Sequence, residues 1–213
     1  MDEKSAAAIR RYVEAGGTVI MTAYSAKADE HAQWFNTPLP GRLSDVFGLR
    51  TSEFYRSGKP LEVMIGGELR KATDNYYEIL ELDTAKPQAN FLNTPEKSPA
   101  VAINHYGRGQ AIYLATAAQP SIIGPLVRAL YTRLGIERGP ETPTGVYARV
   151  VEGRTLYVNT TTERKSVRLK GAKLGVLSGR HYSGSLLLGP YGVELLQSRD
   201  PSRRRIRYGY RLR

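Results

Sequence analysis

Tyr12-Val13-Glu14-Ala15-Gly16-Gly17-Thr18-Val19-Ile20-Met21-Thr22-Ala23-Tyr24 is the stretch on which the fold turns. Its first part closes a helix predicted over residues 2–15. Asp2 is a suitable N-cap, Ala6–Ala8 are strong helix formers, and Ile9, Tyr12 and Val13 fall on one face. Gly16-Gly17 stops the helix, because glycine alone takes up a left-handed backbone without penalty. Thr18–Tyr24 then runs continuously apolar and β-prone, the pattern of a strand buried on both faces in a parallel sheet. Helix, Gly-Gly and buried strand make half of an α/β unit. The reading is therefore an α/β fold whose chain begins inside the domain, with earlier strands absent.

Outward from this stretch, residues 25–41 are loop-like, and Pro40-Gly41 opens a short helix through Asp45-Val46-Phe47 that Gly48 closes. From there to residue 118 the pattern is mostly strands. Leu61–Ile65 and Leu69–Ala72 flank a Gly66-Gly67 turn, Tyr76–Leu82 alternates, and Ala100–Tyr106 and Gln110–Ala115 flank Gly107-Arg108-Gly109. Residues 119–134 form a helix with Ile122, Ile123, Leu126, Val127, Leu130 and Leu134 on one face. Glu137–Thr144 is a linker. Beyond it come only short strands, at 146–151, 155–160, 166–169, 174–177, 185–188 and 192–196. The expected organisation is an α/β domain over 1–140, a small antiparallel β domain over 143–198, and a basic tail over 199–213.

The 213 residues carry a net charge of +11, and its distribution matters more than its size. Residues 199–213 hold seven arginines against Asp200; without them the chain has 24 basic and 19 acidic side chains. The excess is thus concentrated in a tail whose composition is foreign to the body. The body has no recognisable nucleic-acid module, so nucleic acid is not an expected partner. There is no cysteine, no apolar run long enough to span a bilayer and no apolar leader behind Met1-Asp2-Glu3-Lys4. A cytoplasmic protein without membrane contact is expected.

Three runs, in order, carry a resemblance. They are Tyr12–Ser25 with Asp29-Glu30, Pro40–Arg50 with Glu53-Phe54, and Pro99–Leu114; Pro190–Leu196 adds a fourth. Together they resemble the trimerisation domain and C-terminal β domain of family 42 β-galactosidases, over nearly all of residues 5–197. The resemblance implies a partial domain similar to class I glutamine amidotransferases, followed by a small antiparallel β domain. It implies assembly as a homo-oligomer, a trimer foremost. It also implies that both catalytic glutamates lie in a (β/α)8 barrel outside this chain, so no glutamate here is carried over as catalytic. The implied function is a non-catalytic assembly module of a β-galactosidase-like protein, within carbohydrate metabolism.

Retaining glycosidases need two carboxyls about 5 Å apart. Glu53, Glu62, Glu68, Glu78 and Glu81 qualify only as carboxylates and, being on strands, are expected to face solvent. Ser25, Asp29, Glu30 and His31 follow the first strand, where open α/β sheets hold their sites. A small hydrolase acting on an ester or glycoside could place a nucleophile at Ser25, with Asp29 and with His31 or His105 as base. Against it, the chain has no Gly-x-Ser-x-Gly elbow, and Ser25 and Asp29 can simply satisfy loop backbone. A third reading is a sugar-binding module that offers some of the fourteen tyrosines to a galactoside; Tyr106, Tyr113, Tyr147 and Tyr157 are placed on strands. His181 reads as a turn residue. The three histidines lack metal-site spacing, and neither metal nor cofactor is expected.

Overall fold

The computed structural model describes residues 1–72, 75–136 and 138–198; the tail expected over 199–213 lies outside the described residues. The chain divides into two compact units at Gly135/Ile136.

In the first unit, helix α1 spans Glu3–Glu14, capped by Asp2, whose carboxylate accepts from the Ser5 N–H at 2.6 Å. Ala6 and Val13 are its buried residues. Tyr12, expected on the apolar face, is instead 58% exposed, and its ring lies over Gly17, where any side chain would collide with it. Strand β1 (Thr18–Thr22) follows, then a 3-10 turn (Gly41–Leu43), α2 (Ser44–Phe47), β2 (Leu49–Arg56), β3 (Leu61–Ile65), β4 (Glu68–Ala72), β5 (Tyr76–Leu82), β6 (Lys86–Asn90), β7 (Pro99–Tyr106), β8 (Gly109–Leu114) and α3 (Pro120–Arg133).

The main sheet has the order β1-β8-β7-β6. Only β1 and β8 run parallel, with Thr18 opposite Gln110 and Thr22 opposite Leu114; β7 is antiparallel to β8, and β6 to β7. The sheet is therefore mixed. The strand expected to be buried on both faces is an edge strand, and only Met21 of it is buried. The fully buried role falls to β8, every residue of which is buried.

Helix α1 packs on β1 and β8, and α2 on β7 and β8. Arg10 of α1 grips Asp45 of α2 through two 2.9 Å hydrogen bonds, a bidentate geometry that fixes one helix against the other. Two antiparallel ladders, β2 with β5 and the β3–β4 hairpin, complete the unit, with α3 packed on β3 and β4. One core runs through Val13, Phe47, Leu61, Phe91, Tyr113 and Ile122.

The second unit is antiparallel. Strands β9 (Val146–Val151), β10 (Arg154–Asn159), β11 (Lys165–Arg168), β12 (Lys173–Gly175), β13 (His181–Tyr182), β14 (Ser185–Leu188) and β15 (Val193–Ser198) form a sheet β13-β12-β15-β10-β9 and a separate β11-β14 ladder. Its core is Val146, Tyr157, Val167, Leu169, Leu186, Leu188 and Leu196. Two local expectations differ. The strand expected over 174–177 ends at Gly175, and Leu177 N–H instead donates to Glu194 Oε1 at 3.1 Å. His181, expected in a turn, lies in β13 opposite Leu174.

Candidate functional site

The carboxyl end of the parallel pair is where this fold would place a site. Past β1 the chain turns sharply: Tyr24 and Ala26 both take left-handed backbone, φ 64° and 53°. Such strain in non-glycine residues persists only when surrounding groups enforce it. At Tyr24 the group that holds the backbone is Glu78 of β5. Its side chain is fully buried, with Oε1 accepting from the Tyr24 N–H at 2.8 Å and Oε2 from the Tyr113 hydroxyl at 2.7 Å. Thr51 adds a longer contact at 3.4 Å. Burial pushes the Glu78 carboxyl above the usual carboxylate range despite these donors, and pushes the Tyr113 phenol up as well.

Glu78 corrects the expectation that the strand glutamates face solvent. A signal for it was present: in the alternation of β5, Tyr76, Glu78, Leu80 and Leu82 share a face, so Glu78 occupies an inward position. Glu53, Glu68 and Glu81 are exposed and Glu62 is half-buried; each of the four is engaged by a neighbouring Tyr, Arg or Lys. Glu78 and Glu53 lie on opposite partner positions displaced by one along the β2–β5 ladder, where Glu53 pairs with Ile79, so the two side chains take opposite faces.

Over Glu78 lies an aromatic ladder. The Tyr24 ring stacks on Tyr76 at 4.2 Å and on Phe54 at 5.5 Å, and Trp34 meets Phe54 edge-on at 6.5 Å. The Lys27 ammonium sits 4.5 Å from the Tyr24 ring and 4.9 Å from that of Trp34. Trp34 is brought there by a small antiparallel bridge, Ala28 opposite Trp34, reinforced by Phe35 N–H donating to the Lys27 carbonyl. The sequence reading did not find this ladder. Its members are scattered over residues 24–76, and only the pairing of β2 with β5 assembles them.

The residues of the hydrolase reading are placed as follows. Asp29 Oδ1 accepts from the backbone N–H groups of both His31 and Gln33 at 2.9 Å, and these bonds hold its carboxyl below the usual range. That carboxylate is occupied in shaping a turn. Ser25 N–H closes a turn onto the Thr22 carbonyl, and His31 is exposed. His105 is opposite Gln110, which is itself opposite Thr18. It therefore sits at the far end of the sheet from Ser25, separated by ~13 Å of strand. Of the four tyrosines placed on strands, Tyr113 and Tyr157 are buried, Tyr106 is half-buried and Tyr147 is exposed. Among the described residues no three His, Asp or Glu side chains converge as metal ligands.

A cleft in the second unit is lined by Arg138, Glu141, Tyr157, Arg168, Lys170 and Lys173, an excess of cations suited to anions.

Residues 1–137 match the family model described as the β-galactosidase trimerisation domain, well over half of the chain. The chain belongs to that family. Its curated relatives include the β-galactosidase BglY of Alicyclobacillus acidocaldarius, 27% identical over 89% of this chain and 30% of that protein, and an Arthrobacter β-galactosidase, 29% identical over 90% and 28%. The trimerisation-domain chain thus spans about 30% of the length of the curated relatives it matches. Its fold is that of β-galactosidases from Bacillus circulans sp. alkalophilus, with TM-score 0.78 at 22% identity over 92% of this chain and 31% of that one, and from Halorubrum lacusprofundi, with TM-score 0.79 at 23% identity over 93% and 30%. Both matches extend through the second unit. Among the described residues no helix is long and apolar enough to cross a membrane.

Proposed function

We propose that this chain is a non-catalytic assembly module of a β-galactosidase-like protein, self-associating as a trimer and carrying no glycosidase chemistry of its own. The observation that carries the reading is the trimerisation-domain match over residues 1–137. The geometry agrees with it: the one fully buried carboxylate among the described residues of the first unit holds backbone and tyrosine hydroxyl, and the Asp29 carboxylate shapes a turn. The parallel β1–β8 pair with α1 packed on it supports the finer reading of a partial domain similar to class I glutamine amidotransferases.

Sedimentation equilibrium on the full chain, with turnover of chromogenic β-galactosides measured on the same sample, tests the proposal. A mass of three chains without turnover is expected. A monomer at micromolar concentration, or turnover by the isolated chain, would overturn it.

A further inference from the structure

The first unit gathers three exposed rings in one cluster: Trp34 is 55% exposed, Phe54 39% and Tyr24 38%. We propose that the Trp34–Lys27–Tyr24–Phe54 ladder is the surface by which one copy of this chain grips a second. The inference rests on the self-association reading and names where that association is made.

Four observations carry it. Trp, Tyr and Phe are enriched at protein contacts, Trp and Tyr above all at their energetic centre. The exposed parts of these rings amount to on the order of 300 Å² of aromatic surface, given ~150–250 Å² for each whole side chain. That is about a third of one side of a standard interface, the right size for its centre. The ladder is also pre-organised. Glu78 holds the Tyr24 backbone, Tyr76 backs its ring and Lys27 spans Tyr24 and Trp34, so little side-chain freedom remains to be lost on contact. Finally, the ladder lies within residues 1–137. Tyr147, Val151 and Val193 of the second unit's sheet lie outside that range, and of the other exposed rings within it Tyr12 lies over Gly17 and Tyr55 stacks on Tyr77.

A sugar platform is the weaker reading of the same rings. A pyranose needs an open ring face, whereas Tyr24 already touches Tyr76, Phe54 and Lys27. In a closed ring of three copies each contact joins two different faces, so the ladder supplies one side and the neighbour presents another.

Trp34 is the only tryptophan of the chain, so intrinsic fluorescence reads this surface directly. The experiment follows sedimentation mass, Trp34 emission and acrylamide quenching across a dilution series of the wild type. It adds the mass of two double variants, W34S/F54S and Y147S/V193S. Expected results are a wild-type oligomer whose Trp34 becomes severalfold more quenchable as the mass falls. W34S/F54S should run as a monomer with unchanged far-ultraviolet circular dichroism, and Y147S/V193S should keep the wild-type mass.

If the wild type is an oligomer and W34S/F54S remains one, the ladder is not the contact, while self-association stands. A wild-type monomer at every concentration removes the self-association reading and this inference with it. Trp34 quenching unchanged across dissociation overturns the inference without reliance on any variant. Saturable quenching by lactose at constant mass overturns it in favour of a sugar site.

Discussion

The Tyr24 backbone N–H lies 2.8 Å from a carboxylate oxygen of Glu78, fifty-four residues away in sequence. This bond joins the turn after β1 to the β2–β5 ladder, and it is made by a carboxyl group inside the core. Removing the carboxylate strands the Tyr24 N–H and the Tyr113 hydroxyl. Glu78→Ala is expected to destabilise the first unit by about 1–3 kcal/mol for each buried donor left unpaired. Glu78→Gln, which keeps an accepting oxygen, should lose less than half as much. Urea unfolding followed by Trp34 fluorescence measures both; equal losses would show that the bonds to Glu78 are not what holds the turn.

The pH dependence at Glu78 has a definite sign. Its folded pKa is raised above the ordinary 4.5, so the folded state binds the proton more tightly. The stability linked to this group is fully present below 4.5 and is lost as pH rises through the folded pKa. Unfolding free energies of the wild type and Glu78→Gln should therefore diverge in the variant's favour as pH rises over that window. A constant difference across it would refute the burial argument.

Glu194 in the second unit should behave in the opposite way. Burial raises its pKa, but bonds from Ser178, Tyr182 and the N–H groups of Leu177 and Leu195 outweigh burial and leave it below the ordinary value. Its contribution is present above the ordinary carboxylate value and lost as pH falls through the folded pKa. Glu194→Gln should cost stability at neutral pH and less in acid, as measured by hydrogen exchange of the β12–β15 amides.

Two glycines separate steric from conformational demands. A Cβ at Gly109 would stand 2.1 Å from the Val13 carbonyl oxygen and 2.3 Å from that of Gly17, both backbone atoms that cannot swing aside. Gly109→Ala should cost more than about 3 kcal/mol, beyond ordinary overpacking. Gly66 has open space around it but a φ of 61°, so Gly66→Ala should cost about 1–2 kcal/mol. Thermal melts of the two variants should rank in that order.

Much of the first unit was legible because local chemistry agreed with the final fold. Asp2 caps α1, Gly48 ends α2 with φ 60°, and Gly66-Gly67 and Gly107-Arg108 turn their hairpins. What could not be read depended on pairing at a distance. The burial of β1 was over-read because an apolar run states what could be covered, not whether the strand is central or at an edge. The ladder over Glu78 was invisible because no residue in it has a close sequence neighbour that betrays the arrangement. Ser25, Asp29 and His31 were conspicuous for the converse reason: a short segment crowded with reactive residue types is also what a polar turn looks like.

The parallel register of β1 with β8 joins Thr18 to Gln110, ninety-two residues apart, whereas the β3–β4 and β7–β8 hairpins close over two-residue turns. Hairpins of that kind form in microseconds, while distant pairings must first overcome the entropy of a long loop. The first unit should therefore build from its C-terminal hairpin outward, with the segment synthesised first waiting for β8 before it can dock.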